Sequence, residues 1–293
     1  MKPSAFTYHR FDDLADVVDA LTTFGEDAKL LAGGQSLVPM MNMRLARFGH
    51  LIDITRIESL RSIERTDGRV VIGAGVRHCV LERDELIESA APLLHAATPL
   101  IGHFQIRSRG TIGGSLAHAD PAAEQPAVAV ALDATFDVVS SRGARSIAAE
   151  DYFIGQWETS MEFDEVLRSV SMPVWNGPVR VGVAEFSRRH GDFAIAGAMV
   201  QLQVADDDEV VRSAVAVFGL SSIPNRARSV EATVCGRRLG DVDPAEIGEL
   251  AVAGIGDVAE DAHVSSAYRR SIAVAMVAEA WQRAASDGRQ DRP

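Results

Sequence analysis

Apolar positions along the chain fall into two rhythms, and the points where one gives way to the other outline the elements. Leu14, Val17, Val18, Leu21 and Phe24 recur at helical spacing, and Gly25 stands where a helix C-cap is wanted. Lys29-Leu30-Leu31-Ala32 is a short, mostly apolar run that stops at Gly33-Gly34, which reads as a strand opening into a glycine turn. Leu37 to Leu45 reads as a short helix with Pro39 in its first turn, and His50 to Ile54 as a second strand. Arg61–Arg65 and Arg69–Ile72 flank Thr66-Asp67-Gly68, the pattern of a hairpin. Helical patterns cover Val80–Glu88 and Leu93–Ile101, the stretch from Gln105 to Pro121 reads as loop, and Ala122–Leu132 reads as helix. Phe136–Val139 and Arg145–Ile147 form another hairpin around Ser141-Arg142-Gly143. After the turn formers Trp175-Asn176-Gly177-Pro178 come three strand-like runs, Val179–Phe186, Ala194–Val204 and Val210–Phe218. Two helical patterns close the chain, the last over Ala267–Ala285. The expected organisation is a small α/β lobe over 1–56, a second lobe over 57–177 and a C-terminal domain over 178–293.

Composition narrows the function classes. The apolar content is mostly Ala, Val, Leu and Ile with only 6% aromatics, which suits mixed helices and strands better than an aromatic-rich sandwich. A net charge of −12 argues against nucleic acid, which needs clustered Lys and Arg to displace counterions. Cys79 and Cys235 are the only cysteines, too few for a disulfide framework, and this points to a cytoplasmic protein. No stretch approaches the roughly 18 apolar residues of a membrane span, and Met1 to Phe6 contain no apolar signal core. The cysteine count has a second consequence. An ordinary [2Fe–2S] cluster needs about four thiolates, so any such cluster serving this chain must sit in another subunit.

Two segments carry candidate chemistry. Ala32-Gly33-Gly34-Gln35-Ser36 lies between a strand and a helix, where glycine lets backbone N–H groups approach an anion closely. Thr111-Ile112-Gly113-Gly114-Ser115 is the second, in a stretch that looks too glycine-rich and polar for a buried helix. Two such loops suit a cofactor with two phosphates. Val70-Val71-Ile72-Gly73-Ala74-Gly75 imitates a dinucleotide fingerprint, but position 78 is His78 rather than glycine and the preceding element reads as a hairpin arm.

Leu31 to Pro39 with Met43-Arg44-Leu45-Ala46, Arg107 to Glu124, Asp151 to Gly155, Glu165-Val166-Leu167, Arg188 to Ala194 and the helix around Tyr268-Arg269-Arg270 together resemble one family. It is the FAD-binding medium subunit of molybdenum hydroxylases of the xanthine dehydrogenase and carbon-monoxide dehydrogenase type. The resemblance implies an α+β fold. A two-lobed FAD-binding domain of the vanillyl-alcohol-oxidase (PCMH) kind comes first, then a C-terminal domain with a three-stranded sheet packed on helices. It implies that Ala32, Gly33, Gly34, Gln35 and Ser36, with Thr111, Gly113, Gly114 and Ser115, hold the FAD pyrophosphate, that Leu37 also touches the cofactor, and that Lys29 and Val38 to Pro39 flank the first loop toward the adenosine. Ile101 and Gly102 fall beside the flavin ring, Glu124 on a cofactor hydroxyl, and Leu167 where a backbone contact to flavin is made. Phe193 stands where several members have tyrosine; it can stack but has no hydroxyl to donate. Gln35 stands where some relatives carry histidine, so the implied FAD is non-covalent.

His118, Asp120 and Glu124 have neither helical-face nor zinc spacing, and the expectation is that His118 and Asp120 shape the cofactor loop without holding a metal. Arg188, Arg189, His190 and Asp192 read as a charged turn, and Cys79 as an inert thiol in a loop. The implied function is electron transfer without a catalytic side chain in this chain. Electrons from a molybdopterin centre in a large partner pass through [2Fe–2S] clusters in a small partner to FAD and an external acceptor, in a dimer of heterotrimers. Two other readings stay open: a stand-alone FAD-dependent oxidase or reductase, and a flavin-free scaffold subunit.

Overall fold

The computed structural model describes residues 2–286. Strand β1 (Thr7–Arg10) leads into α1 (Leu14–Phe24), β2 (Ala28–Leu31), α2 (Leu37–Asn42) and β3 (His50–Asp53), and the strands form a parallel sheet in the order β1-β3-β2. Asp13 caps α1 through Ala15 N–H at 2.8 Å, and Gly25 closes it at φ 59°. Its face of Val17, Val18 and Leu21 packs with Ile52 and Leu60 in one small core. The edge strand β1 escaped the sequence reading because its side chains are largely exposed and show no apolar alternation.

β4 (Ile63–Thr66) and β5 (Arg69–Gly73) make the expected hairpin, turning through Asp67 and Gly68 at φ 51° and 73°. Gly73 ends a hairpin arm, which disposes of the dinucleotide imitation. The helical pattern over 80–88 is two helices, α3 (His78–Leu81) and α4 (Glu85–Ala90). The break falls at Asp84, whose carboxylate accepts from both Leu86 and Ile87 N–H at 3.0 Å and so starts a new helix. Cys79 therefore lies in a helix and not in a loop. α5 (Pro92–Ala97) follows, and the stretch 105–121, expected as loop, holds α6 (Phe104–Arg107) and α7 (Ile112–His118) before α8 (Glu124–Ala131).

β6 (Thr135–Ser140), β7 (Gly143–Ala148), α9 (Ala149–Tyr152), β8 (Phe153–Gly155), β9 (Glu158–Thr159) and β10 (Val166–Pro173) complete this part. The antiparallel sheet runs β4-β5-β10-β6-β7. Its central strand, β10, was not among the expected elements, because Arg168, Ser169 and Ser171 interrupt its apolar pattern; Ser169 nevertheless donates to Asp137 at 3.1 Å and Ser171 accepts from Arg69 at 3.0 Å.

The C-terminal strands β11 (Val179–Phe186), β12 (Ala196–Val204) and β13 (Val210–Phe218) stand as expected, extended by a two-residue edge strand β14 (Asn225–Arg226). Three helices follow where two were expected: α10 (Arg228–Val234), α11 (Pro244–Ala253) and α12 (Ser266–Ala285). The alternation of this sheet assigns its faces. Val183, Met199, Ala216 and Phe218 join the core of the preceding part, whereas Ala184, Val200, Val215 and Val217 pack with Val277 and Trp281 of α12. β12 is buried on both faces, hence its nearly unbroken apolar run. Both ends of α8 are tied to this sheet: Gly219 N–H donates to Pro121 O at 2.8 Å, and Arg226 Nη1 to Val130 O at 3.0 Å.

Candidate functional site

The first glycine loop leaves β2 and enters α2. Gly34 has φ 73°, a left-handed conformation that side chains resist. Its carbonyl accepts Val38 N–H at 3.1 Å and Ser36 O accepts Met40 N–H at 3.1 Å, so carbonyls face the helix. Gln35 braces its own loop, Nε2 donating to Gly33 O at 2.9 Å. Among the described residues no hydrogen-bond acceptor meets the N–H groups of Gly33, Gly34, Gln35 or Ser36. Four backbone donors in sequence are therefore available to an anion.

The second glycine motif is a helix start. Thr111 is the N-cap of α7, and its Oγ1 accepts Gly114 N–H at 3.1 Å. Ile112 N–H donates to Val76 O and Gly113 N–H to Ala74 O, each at 2.9 Å. These outside acceptors let a glycine-rich segment begin a helix here, which overturns the expectation of an irregular loop. Gly113 is buried because a Cβ there would collide with Ala74. Among the described residues neither the Thr111 N–H nor the Ser115 hydroxyl makes a hydrogen bond.

The two motifs touch. A Cβ on Gly33 would collide with Arg109 O and lie 2.6 Å from Gly110 Cα, and one on Gly114 would lie 3.6 Å from Ala32 Cβ. Gly110 in turn rests on His78, which would stand 2.7 Å from an added Cβ. His78 accepts from Gln125 at 2.9 Å through Nδ1, and burial drives its pKa down to about 4, with Arg107 adding to the effect. It is a neutral brace under the second motif.

A line of ionisable groups runs from this contact toward the C-terminal sheet. Burial lowers the Lys29 ammonium below its usual range although solvent still reaches the side chain; Lys29 also lies 5.8 Å from the Phe48 ring centre. His118, at the end of α7, is lowered by burial and by Lys29, while Asp120, 4.0 Å away, opposes this. Asp120 also accepts from Trp157 Nε1 at 3.3 Å and from Ala122 N–H at 2.9 Å. Glu124 opens α8, and burial, then the charge of Glu185, push its carboxyl up to about 8, with Asp120 adding and its own backbone N–H opposing. Glu185 on β11 is itself pushed up to about 7 by burial.

Ile101 and Gly102 form a half-buried turn held by Arg107, whose Nη1 donates to their carbonyls at 3.1 and 3.2 Å. Glu82 grips Arg107 at 3.0 and 3.3 Å. Arg107 is therefore a clamp on the turn and not a solvated surface charge. The loop carrying Arg188 to Phe193 lies over the same turn: Gly191 packs on the His103 ring, and His103 and His190 have ring centres 6.1 Å apart. Phe193 is 66% exposed at the edge of that loop. Leu37 is half-buried at the start of α2. The Leu167 side chain belongs to the core, while its backbone lies beside a bulge between Leu167 and Ser169. The structure thus joins the two glycine motifs, the line from Lys29 to Glu124, and the Ile101–Gly102 turn with the Phe193 loop. Sequence reasoning did not find His78, Gln125, Glu82 or Glu185; a glutamate late in the mostly apolar run 179–186 was a signal for the last, and the other three gave none.

Residues 4–175 match the family of the FAD binding domain in molybdopterin dehydrogenase, and residues 183–284 the CO dehydrogenase flavoprotein C-terminal domain. The chain belongs to this FAD-binding flavoprotein family. It is 36% identical to the caffeine dehydrogenase subunit beta of Pseudomonas sp. (strain CBB1), over 97% of this chain and 96% of that protein. Its fold superposes on the carbon monoxide dehydrogenase structure from Hydrogenophaga pseudoflava with a TM-score of 0.92 at 34% identity, covering 97% of this chain and 98% of that one. Quinoline 2-oxidoreductase from Pseudomonas putida 86 gives a TM-score of 0.90 at 32% identity, covering 97% and 98%. As a member of this flavoprotein family the chain is an oxidoreductase subunit with FAD as its cofactor. Among the described residues, no helix of the flavoprotein is long and apolar enough to cross a membrane.

Proposed function

We propose that the chain is the FAD-binding electron-relay subunit of a heteromeric molybdenum hydroxylase, working with a large molybdopterin subunit and a small [2Fe–2S] subunit in a dimer of heterotrimers. The observation that carries this reading is the contact between the two glycine motifs, which places four unengaged backbone N–H groups beside a second backbone turn. Ala32 to Ser36 would donate to the pyrophosphate, and Thr111 to Ser115 would close over it from the other side, with Lys29 and Leu37 toward the adenosine. Ile101, Gly102 and Phe193 would flank the ring, with the Leu167 backbone nearby, and Glu124 would accept from a cofactor hydroxyl. Asp120 and His118 hold the turn that leads into α8. Bound flavin would supply redox chemistry able to work in single-electron and two-electron steps, which suits a relay between iron–sulfur clusters and an external acceptor.

Two features of the chain support the division of labour. Its two cysteines, Cys79 and Cys235, are free thiols, which suits a reducing cytoplasm and leaves the clusters to a partner. Gln35, which braces Gly33 O and stands where some relatives carry histidine, supports non-covalent flavin. The test is a visible absorption spectrum of the purified chain with mass spectrometry of the released chromophore, followed by identification of co-purifying subunits. A flavin spectrum, free FAD on denaturation and recovery of molybdenum and iron–sulfur subunits are expected. Substrate-dependent flavin reduction by the chain alone would replace this reading with that of a stand-alone flavoenzyme. A colourless protein that takes up no added FAD would replace it with that of a scaffold.

A further inference from the structure

Away from the glycine motifs, one buried cation grips main chain that leads into the candidate site. Arg269 lies one turn into α12 and is only 8% exposed. Its Nη1 donates to two main-chain carbonyls, Ile195 O at 2.7 Å and Gly219 O at 2.9 Å, and its Nη2 donates to Asp261 Oδ2 at 2.8 Å. A cation near the N-terminus of a helix is unfavourably placed by the helix dipole, so these three acceptors are what hold it there. Ile195 immediately precedes β12 and Gly219 immediately follows β13. The neighbouring ends of two paired strands thus close on one guanidinium. Gly219 permits the approach: at φ 78° it stands where an added Cβ would lie 2.9 Å from Ile195 O.

Both gripped residues reach toward the FAD-binding part. Ile195 N–H donates to Phe186 O at 2.7 Å and closes the base of the loop 187–194. That loop carries Phe193, and Gly191 within it packs on the His103 ring, beside the Ile101–Gly102 turn. Gly219 N–H donates to Pro121 O at 2.8 Å, in the turn that runs from His118 and Asp120 into α8 and Glu124. Each of the two carbonyls held by Arg269 therefore belongs to a residue bonded to one flank of the candidate site. The next residue of α12 has the same chemistry without that connection. Arg270 donates to Val252 O and Ile255 O, each at 2.8 Å, and both of these residues pack within the C-terminal core.

We propose that Arg269 is a further positioning residue of the flavin site, a junction that sets the base of the Phe193 loop and the start of α8 relative to each other. This rests on the FAD reading above. The physical ground is the shape of the side chain. A guanidinium presents its donors in a fixed plane, so two carbonyls on one nitrogen and a carboxylate on the other hold three segments in one geometry. A lysine ammonium carries the same charge on a flexible stem and fixes no plane. With the junction loosened, the loop keeps its contact with His103 but its base is free to shift, and so is the Gly219 peptide that holds Pro121. The cofactor then meets Phe193 on one side and Glu124 on the other in positions that are no longer set together.

The experiment compares Arg269→Lys with Arg270→Lys and the unaltered full chain. FAD affinity is read by fluorescence titration of the flavin-free proteins, and the surroundings of the bound ring by circular dichroism in the visible flavin bands. Arg269→Lys should bind FAD about tenfold more weakly, the scale of one hydrogen bond lost from the bound state, and its flavin bands should change in sign or intensity. Arg270→Lys should lose thermal stability as well but keep both the affinity and the bands of the unaltered chain. Asp261→Asn is the milder variant. It keeps an Oδ1 acceptor for His263 and Val264 N–H and removes the charge that faces Arg269, so it should move both readings in the direction of Arg269→Lys. It decides the question if Arg269→Lys does not fold. Unchanged affinity and bands in Arg269→Lys and Asp261→Asn would overturn the proposal and leave the FAD reading standing, as would equal changes in Arg270→Lys. Absence of FAD binding by the unaltered chain would overturn both.

Discussion

Gly33→Ala is the sharpest test of the contact between the two glycine motifs. The added methyl group would fall on the carbonyl of Arg109 and the Cα of Gly110, backbone atoms that have no rotamer in which to move aside. Overpacking of this kind costs about 1–3 kcal/mol, and a backbone obstacle puts the expected value in the upper part, about 2–3 kcal/mol. Among the described residues no hydrogen bond ties the two segments to each other, so the flavin-free protein is expected to relieve the strain by letting them part. Binding a pyrophosphate between them imposes it again, so the energy should appear in affinity and not in global stability. At about 1.4 kcal/mol per tenfold, FAD binding should weaken by roughly 30- to 150-fold while the thermal midpoint of the flavin-free protein moves little. Gly34→Ala supplies the contrast. Its methyl group meets only the side chains of Val38 and Leu31, at 3.2 and 3.3 Å, and its penalty comes from φ 73°, about 1–2 kcal/mol present with or without ligand. Fluorescence titration and calorimetry on the two variants separate these cases. Unchanged FAD affinity in Gly33→Ala would refute the idea that the motifs enclose the cofactor.

Arg107→Met should lower the thermal midpoint by several degrees. It removes the pair with Glu82, whose side chains are 13% and 25% exposed, and two hydrogen bonds to the Ile101–Gly102 turn; a loss of about 2–3 kcal/mol is expected, and a midpoint shift under one degree in calorimetry would contradict the clamp. Glu124→Ala should weaken FAD binding without unfolding the domain, and equal affinity in a titration would withdraw its role as an acceptor. Acid should destabilise the chain through His78. Its folded pKa of about 4 lies below the ordinary 6.5, so the unfolded chain binds more protons between these values and stability falls as pH drops through that window. The shift corresponds to roughly 3 kcal/mol at most. His78→Asn keeps an acceptor for Gln125 and should flatten this acid limb in denaturation measured from pH 7 to 4; an unaltered slope would show that His78 is not the group responsible.

Much of the candidate site was legible because its residues answer to local needs. Gly34 is read from sequence because a strand-to-helix turn at φ 73° requires it, and β11 to β13 are read because a sheet covered on both faces needs long apolar runs. What escaped depends on partners distant in sequence. Arg107 stands in a run with Ser108 and Arg109 and looks solvated, until the fold brings Glu82 and the carbonyls of Ile101 and Gly102 to it. β10 escaped for a similar reason, since Ser169 and Ser171 look like loop residues until Asp137 and Arg69 stand beside them. Which face of β11 meets the FAD-binding part is decided by the packing of Val183 and Ala184 on different cores.

The same physics separates two motifs that look equivalent in sequence. Both contain Gly-Gly followed by a polar residue, and both suggest a row of backbone donors. In the first, four consecutive N–H groups have no acceptor among the described residues. In the second, Ile112, Gly113 and Gly114 already donate to Val76, Ala74 and Thr111. The first segment is therefore suited to donate to the pyrophosphate, and the second to close over it, with Thr111 N–H and the Ser115 hydroxyl as its available donors. Glycine serves different ends in the two places. At 113 it admits Ala74, and at 33 it admits the Arg109–Gly110 backbone. A substitution at Gly113 should therefore disturb the fold before it disturbs the cofactor, and one at Gly33 the reverse. This asymmetry follows from the hydrogen-bond partners, and the repeated letters of the sequence conceal it.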